Sequence, residues 1–177
     1  MNKDLVIFDG SNFYHGAKHL SPRTHLTDFD YRGFAEEIVE NKNIEIEYCV
    51  GEIVQRTHHK EKSYKLYANQ QALFYNLEKQ KIVVKKGFML YSNLSYHEKG
   101  VDVQIALDIA VGALKNKYRK CYIISSDADI LPAILEGKDE GKKVVYVGFD
   151  KSISRMMKAR CSATICVKKE MVKKFGK

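Results

Sequence analysis

The stretch from Tyr122 to Gly148 constrains the fold more than any other part of the chain. An apolar run there ends abruptly in two carboxylates, Asp127 and Asp129, and a helical segment then leads to a second apolar run. This is the pattern of a strand–helix–strand unit, which builds parallel sheets with its crossover helix packed on one face. Because ligands of open parallel sheets bind beyond the carboxyl ends of the strands, we expect both aspartates at a ligand-binding edge.

The rest of the chain repeats this alternation of strands and helices. Short apolar runs predict strands over residues 4–8, 44–50, 81–90, 121–125, 143–147 and 163–167. Helical spacing and turn residues predict helices over residues 13–19, 28–40, 63–79, 101–117, 130–141 and 152–159. The polar segments 51–62 and 91–99 are expected to be irregular connections. We therefore expect one α/β domain over residues 1–167 and a basic tail over residues 168–177, either a frayed helix or coil.

The overall charge favours a polyanionic partner. The chain has 30 Lys and Arg residues against 22 Asp and Glu residues, a formal net charge of +8. A basic surface attracts polyanions and strengthens contacts with nucleic-acid phosphates. No apolar run approaches the roughly 20 residues that span a bilayer, and the N-terminus lacks a signal-peptide pattern. The four cysteines contain no Cys-x-x-Cys pair, which predicts reduced core residues in a cytoplasmic protein.

Carboxylates from other segments are expected at the same edge as Asp127 and Asp129. Asp9 follows the first predicted strand, and Asp102 begins the helix that leads into the fourth. Clustered carboxylates repel one another unless a cation is present. Mg²⁺ and Mn²⁺ bind oxygen ligands, and a site of this kind can polarise a phosphodiester and generate hydroxide. The sequence therefore predicts that these four aspartates bind one or two Mg²⁺ or Mn²⁺ ions and act in catalysis.

Each of these aspartates also has a structural interpretation. Asp129 precedes Ile-Leu-Pro and could cap the following helix, whose first turn tolerates proline. Asp102 could favour the dipole of its helix. Asp9 and Asp127 could each stabilise a turn. Both interpretations stay open from the residues alone.

Several neighbouring residues could support this site. Asn12 and Ser126 could orient a metal-bound water or contact phosphate, or simply hold their turns. Lys99 could approach a phosphate or pair with Asp102. Asp108 lies six positions after Asp102, about 240° around the helix, so it cannot present the same face. A structural hydrogen bond or salt bridge is the expected role of Asp108, and a role at the outer edge of the site stays open.

A basic segment is the expected contact with the nucleic-acid backbone. Its cationic side chains are Arg56, Lys60, Lys62 and Lys65. His58 and His59 lie within it, but adjacent residues rarely converge on one metal ion. Three tyrosines could stack on bases, although packing is the default role for tyrosine in this tyrosine-rich chain; they are Tyr14, Tyr91 and Tyr96.

Four motifs, in order and with matching spacing, resemble the NYN domain, in the LabA-like branch of the PIN-like nuclease superfamily. They are Val-Ile-Phe-Asp-Gly-Ser-Asn-Phe, Lys-Gly-Val-Asp-Val-Gln-Ile-Ala-Leu-Asp, Ile-Ile-Ser-Ser-Asp-Ala-Asp-Ile-Leu-Pro and Gly-Lys-Lys-Val-Val-Tyr-Val-Gly. The resemblance extends from residue 6 to about residue 167. It implies a PIN-like, Rossmannoid fold: a three-layer α/β/α sandwich around a mainly parallel sheet of strand order 3-2-1-4-5. It also implies a Mg²⁺- or Mn²⁺-dependent ribonuclease that uses a carboxylate cluster.

The resemblance assigns the family's site positions to particular residues of this chain. The matching positions are Asp9, Asn12, Lys99, Asp102, Asp108, Asp127 and Asp129. One departure is Ser126, which replaces the glycine more usual before Asp127 and adds a side chain close to the expected metal or phosphate. The acids themselves are all in place.

The sequence therefore predicts a cytoplasmic, metal-dependent endoribonuclease that hydrolyses RNA phosphodiesters and leaves 5′-phosphate and 3′-hydroxyl ends. RNA is the expected partner, with no membrane, and the chain could form a homo-oligomer. The alternative is a weakly active or inactive RNA-binding or interaction module with the same fold. A phosphatase or nucleotide hydrolase would use the same metals, but no phosphate-cradling Gly-rich loop supports that function.

Overall fold

A central sheet organises the computed structural model, which describes residues 3–53, 60–92 and 95–177, with side chains for all of these except residues 60–63, 91–92 and 95–96. The strands are β1 (Asp4–Asp9), β2 (Ile44–Glu52), β3 (Val83–Ser92), β4 (Ser95–Lys99), β5 (Lys120–Ile124), β6 (Lys143–Phe149) and β7 (Ala163–Val167). In this part of the chain they form one seven-stranded sheet of order β4-β3-β2-β1-β5-β6-β7. Every neighbouring pair is parallel except β3 and β4, which are antiparallel.

Helices cover both faces of the sheet. They are α1 (Gly10–Leu20), α2 (Tyr31–Ile38), α3 (Lys60–Lys79), α4 (Val101–Leu114), α5 (Leu131–Asp139), α6 (Arg155–Arg160) and α7 (Lys169–Phe175), with a short 3-10 helix at Leu26–Asp28. Buried side chains of α1, α2, α3 and α7 form one core with Val6 and Phe8. Those of α4, α5 and α6 form a second core with Leu5 and Ile7. Successive β1 side chains thus point to opposite cores, and the three-layer sandwich is confirmed.

An aromatic cluster fixes α1 over the first strand. The rings of Phe8 and Phe13 meet edge to face with centroids 5.2 Å apart, and Phe13 lies 5.3 Å from Tyr31. All three side chains are fully buried. Such pairs contribute about 0.5–1.5 kcal/mol each beyond the area they bury. This packing holds the start of α1 directly beside the end of β1, which positions the residues of the β1–α1 turn.

The predicted strand order is recovered in the middle of the sheet, and both edges extend it. Predicted strands 3-2-1-4-5 correspond to β3-β2-β1-β5-β6, and the last predicted strand is β7 beside β6. The expectation of a loop over residues 91–99 is wrong, because β3 continues to Ser92 and pairs with β4 in a hairpin. The local sequence has no clear apolar alternation there. This strand forms because the outer edge of β3 supplies backbone hydrogen-bond partners.

Element ends also differ from the sequence prediction. Helix α1 begins at Gly10 rather than residue 13, α3 begins at Lys60 rather than residue 63, and α4 ends at Leu114 rather than residue 117. Left-handed backbone at Asn116 (φ 52°) follows the end of α4. Asp30 caps α2, because its side chain accepts a hydrogen bond from the backbone N–H of Gly33 at 2.8 Å.

The C-terminal residues pack on the domain instead of fraying. Helix α7 buries Val172 completely. Phe175 contacts Phe34, with ring centroids 6.0 Å apart, and its carbonyl accepts a hydrogen bond from the backbone N–H of Asp30 at 2.9 Å. The short helix is stable here because its apolar face completes the core of α1 and α2.

All four cysteines are free, as expected, but only Cys49 and Cys121 are fully buried. Cys161 is half-buried and Cys166 is exposed, so the prediction of core positions is wrong for these two. Among the described residues, no helix has the length and hydropathy required to cross a membrane.

Candidate active site

Asp9 ends β1 and is tied into the start of α1. Its Oδ1 accepts a hydrogen bond from the backbone N–H of Asn12 at 3.0 Å. Its Oδ2 accepts from Asn12 Nδ2 and from Ser125 Oγ, both at 2.7 Å. The side chain is only 2% exposed. Asp9 therefore caps α1 and also joins the carboxyl ends of β1 and β5, so the expected turn-stabilising role and the expected position at the edge both hold.

Asp127 and Asp129 follow β5 in a tight turn. The backbone N–H of Asp127 donates to Ser125 Oγ at 3.1 Å, and Asp127 Oδ1 accepts from the backbone N–H of Asp129 at 2.9 Å. Helix α5 begins after Ile130, without a side-chain cap. The side chain of Asp129 is exposed and accepts no hydrogen bond within the described residues, so it does not cap the helix. Its carboxylate remains available to a ligand.

Asp102 lies in the first turn of α4, close enough to the other three carboxylates for their charges to affect its pKa. Burial first, and then the charges of Asp127, Asp9 and Asp129, raise the pKa of Asp102 above its ordinary value. Helix α4 follows Gly100, whose left-handed backbone (φ 82°) turns the chain from β4 into the helix. The structure thus brings the four predicted aspartates to one edge of the sheet, close enough to repel one another.

Glu98 is a fifth carboxylate at this edge, which sequence reasoning missed. It lies on β4, and its side chain accepts a hydrogen bond from the backbone N–H of Gly51 at the end of β2. Burial first, and then the charges of Asp9 and Asp102, raise its pKa despite that hydrogen bond. Glu98 was missed because the 91–99 segment was predicted to be a loop. The Ser-Asn-Leu-Ser run at 92–95 was the turn signal that could have indicated a hairpin.

The donor chemistry of this edge fits a hard divalent cation. Carboxylate oxygens are the ligands that Mg²⁺ and Mn²⁺ prefer. Burial contributes most to the raised pKa of Asp102, and a cation would relieve the part that comes from Asp127, Asp9 and Asp129. However, the described residues contain no compact group of three or more His, Cys, Asp or Glu side chains able to hold a metal ion. Asp9, in particular, directs its oxygens to Asn12 and Ser125, so an ion here would keep several waters.

Two of the predicted supporting residues, Asn12 and Ser126, lie in the turns at the acidic edge, and Lys99 lies beside them in a cleft. Asn12 connects Asp9 to the β5–α5 turn, because its Oδ1 accepts from the backbone N–H of Ser126 at 3.2 Å. Ser126 Oγ lies 2.8 Å from the hydroxyl of Tyr146, on the β6 side of the turn. Lys99 is exposed and, within the described chain, makes no ion pair with Asp102. It lines a neighbouring cleft.

Asp108 lies outside the site, as the helical geometry predicted. Lys85 Nζ lies 3.5 Å from Asp108 Oδ1 and 3.4 Å from Glu47 Oε1, and Gln104 Nε2 donates to Asp108 Oδ2 at 2.9 Å. Glu47 is only 6% exposed, and its Oε2 has no hydrogen-bond partner among the described residues. Burial first, and then the charge of Asp108, raise the pKa of Glu47 to about 7. Asp108 is therefore part of a largely buried ionic cluster beneath α4.

A cleft of about 750 Å³ opens between α1, α3 and the β3–β4 hairpin. It reaches the acidic edge through Glu98 and Lys99, and Tyr14 and His15 form its α1 side. Tyr14 is 49% exposed. Lys65 is exposed on α3. The predicted contact Arg56 lies outside the described residues, as do His58 and His59 and the side chains of Lys60, Lys62, Tyr91 and Tyr96.

The fold is an α/β/α sandwich with an acidic edge beyond the carboxyl ends of its parallel strands. The sequence model of the NYN domain matches residues 5–168, nearly the whole chain, so the chain belongs to the NYN domain family. That family belongs to the PIN-like nuclease superfamily.

The fold also resembles a solved structure. The crystal structure of a protein of unknown function from Vibrio parahaemolyticus is similar, with a TM-score of 0.70 at 17% sequence identity. The match covers 94% of this chain and 93% of that one. At this identity it supports the fold alone. No curated protein matches the sequence significantly.

Proposed function

We propose that this protein is a cytoplasmic, metal-dependent ribonuclease that cleaves RNA internally. The observation that carries the proposal is that Ser125 joins Asp9 to the turn of Asp127 at the carboxyl ends of β1 and β5, with Asp102 close enough for these charges to help raise its pKa. Several carboxylates converge at the carboxyl edge of the sheet in a chain of the NYN family. Carboxylate clusters of this kind serve divalent cations, and the net charge of +8 suits a polyanionic substrate.

In this proposal the more accessible carboxylates hold the cation. Asp102, Asp127 and Asp129 would be ligands, directly or through water, and Mg²⁺ or Mn²⁺ would supply a hydroxide nucleophile and polarise the phosphodiester. Asp9 is the fourth proposed ligand, and its hydrogen bonds orient it towards the end of β5. Asn12 holds Asp9 and the Ser126 backbone in register. None of these roles requires a histidine base.

The cleft of about 750 Å³ is the proposed path of the RNA strand. Lys99 would contact a phosphate next to the acidic edge, and Tyr14 is exposed enough to stack on a base. Arg56, Lys60, Lys62 and Lys65 are the proposed contacts with the RNA backbone farther along. Backbone contacts of this kind make binding weaken as the salt concentration rises.

The direct test is cleavage of end-labelled single-stranded and hairpin RNAs in Mn²⁺, Mg²⁺ or EDTA. We expect cleavage only with a divalent ion, and Asp127→Asn should keep fold and RNA binding but lose more than about 100-fold in rate, the upper end for outer-shell partners of metal sites. Asp139→Asn is the matched control, because Asp139 is an exposed aspartate on α5 away from the edge. Normal cleavage by Asp127→Asn would overturn the assignment of the site.

A second candidate is an RNA-binding module with weak or no activity. The observation that favours it is that the described carboxylates do not form a compact metal-binding group. RNA binding that persists without cleavage in every divalent ion would favour this function. A nucleotide hydrolase would instead act on a nucleotide panel and leave RNA intact.

A further inference from the structure

A second, smaller cleft opens on the other side of the acidic edge, between α1 and the ends of β5 and β6. Its volume is about 270 Å³. It is lined by Asn12, His15, Gly16, His19, Ser125, Ser126, Val147, Phe149 and Ser152. Asn12 and Ser125 are the two residues that hydrogen-bond to Asp9. The cleft therefore begins one side chain away from the proposed catalytic carboxylates.

Hydrogen bonds fix the polar wall of this cleft. Ser126 Oγ lies 2.8 Å from the Tyr146 hydroxyl and 3.4 Å from the carbonyl of Ser152. The Tyr146 hydroxyl in turn accepts from the backbone N–H of Ser154 at 3.0 Å. Asn12 holds the adjacent backbone of Ser126. This wall needs little rearrangement to receive a ligand, which lowers the entropic cost of binding.

The opposite side of the cleft offers two exposed aromatic rings above an apolar floor. His15 and His19 are four positions apart on α1 and share one helix face. Both are exposed, and neither makes a hydrogen bond or ion pair within the described chain. Val147 and Phe149 close the bottom and are at most 4% exposed. Flat rings, an apolar floor and convergent polar groups suit a planar heteroaromatic ligand that carries hydroxyl groups.

The lining favours a neutral ligand over phosphate. No Lys or Arg is among the residues that line this cleft in the described structure, whereas Lys99 lines the larger cleft. An anion would therefore find no cationic side chain among those that line the cleft. A nucleoside, with its aromatic base and its ribose hydroxyls, matches the lining better.

We propose that this cleft binds the base and ribose of the nucleotide next to the phosphate that the carboxylates cleave. His15 and His19 contact the base, and Asn12, Ser126 and Ser152 contact the ribose. The role in cleavage rests on the proposed ribonuclease function, but nucleoside binding itself does not. His15 also lines the larger cleft, so one strand of RNA can pass from one cleft to the other across the acidic edge.

The test follows the histidine imidazole signals by NMR in the full, metal-free chain during titration with adenosine, uridine, a short single-stranded RNA or inorganic phosphate. Nucleosides and RNA should shift the signals of His15 and His19 but not that of His25, an exposed histidine that lines a different cleft. Inorganic phosphate should shift neither. His19→Ala should weaken RNA binding about tenfold, in the range for loss of one base-stacking contact. The matched control His25→Ala should bind as the wild type does.

Three results would overturn the proposal: no shift of His15 and His19 with any nucleoside or RNA, the same shifts with phosphate alone, or unchanged RNA affinity in His19→Ala. Retention of the native circular dichroism spectrum and melting temperature in His19→Ala shows that weaker binding is not a folding defect. Cleavage is assayed separately with Mn²⁺. Nucleoside binding in a protein that cleaves no RNA would support the subsite and overturn only the nuclease function.

Discussion

At the scale of single residues, the two aspartates of α4 have different environments, one among other carboxylates and one in an ion pair. Asp102 is partly buried at the acidic edge, near the carboxylates of Asp127, Asp9 and Asp129. Asp108, on the same helix, is paired with Lys85 beside the buried Glu47. The carboxylates of Asp108 and Glu47 share this one cation, and one Glu47 oxygen has no hydrogen-bond partner among the described residues. A buried carboxyl in this position is more stable when it is protonated.

Glu47 should make stability depend on pH. Its folded pKa of about 7 lies above the ordinary value of 4.5, so its stabilising contribution is complete below pH 4.5 and is lost as the pH rises through 7. Asp108 and Glu45 oppose its ionisation, and Lys85 favours it. Glu47→Gln should therefore raise stability relative to the wild type by about 1–3 kcal/mol at pH 8. At pH 5 the difference should be small.

The measurement is urea unfolding of both proteins from pH 5 to pH 8. Glu140→Gln, at an exposed position, is the control and should show the wild-type pH dependence. A parallel pH dependence in Glu47→Gln and the wild type would contradict the assignment of this titration to Glu47.

Glu98 should tune the proposed metal site through its charge. Glu98→Gln keeps an oxygen that can accept the hydrogen bond from Gly51 but removes a negative charge near Asp9 and Asp102. We expect the Mn²⁺ concentration for half-maximal cleavage to rise about tenfold, as for other outer-shell partners of metal sites. Glu52→Gln is the control, because Glu52 pairs with Lys86 at the protein surface. An unchanged Mn²⁺ requirement in Glu98→Gln would show that Glu98 only fastens β4 to β2.

At the scale of elements, the β3–β4 hairpin decides how α4 reaches the site. β4 pairs with β3 as far as Lys99, and Gly100 then turns the chain so that α4 begins at Val101. Phe88, opposite Lys99 in the hairpin, is the neighbour nearest to a side chain at position 100, at 3.4 Å. The end of β4 and the left-handed backbone of Gly100 therefore set where α4 begins, and with it the position of Asp102.

Gly100→Ala should displace Asp102 as well as cost stability. Forcing alanine into left-handed backbone costs on the order of 1 kcal/mol. Gly141→Ala is a matched control, because Gly141 has φ 76° and an alanine Cβ at that position would have no neighbour within 4 Å. Both variants should lose similar stability in thermal melts, but only Gly100→Ala should lose cleavage at a temperature where both are folded. Equal cleavage by the two variants would show that the turn at Gly100 is not needed to position Asp102 for cleavage.

At the scale of the whole molecule, the sheet brings carboxylates from distant parts of the chain close together. Their electrostatic repulsion lowers the stability of the folded state. Asp9, Glu98, Asp102 and Asp127 come from β1, β4, α4 and the β5–α5 turn. Their repulsion disfavours the folded state unless a cation relieves it. The protein as a whole carries a net charge of +8, which favours the approach of a polyanion.

Divalent ions and Asp102→Asn should therefore each raise the melting temperature, and their effects should not add. Because the folded pKa of Asp102 is raised, its stabilising contribution is lost as the pH rises, and Asp102→Asn should melt above the wild type at pH 7.5 in EDTA. Mn²⁺ should raise the melting temperature of the wild type by linkage and that of Asp102→Asn much less. Asp139→Asn should behave as the wild type in both conditions. Equal Mn²⁺ shifts in all three proteins would argue against a metal site at this edge.

Local patterns in the sequence predicted the alternation of strands and helices and the edge at which Asp9, Asp102, Asp127 and Asp129 lie, whereas the layers of the sandwich and the central strand order followed from the resemblance to the NYN domain. Apolar runs and helical periodicity are local, and the direction of parallel strands fixes which edge the residues after them share. Helical geometry is also local, so the sequence could predict that Asp108 does not share the face of Asp102.

The outer strands of the sheet and the hydrogen-bond and ion-pair partners of the site residues depend on the tertiary structure. β4 exists because β3 offers it an open edge, and Glu98 reaches the site through that pairing. Asp9 hydrogen-bonds to Ser125, and Lys85 joins Glu47 to Asp108, across separations that no local pattern encodes. Hydrogen bonds and ion pairs of this kind depend on where distant strands are placed, and that placement follows from packing of the two cores as a whole.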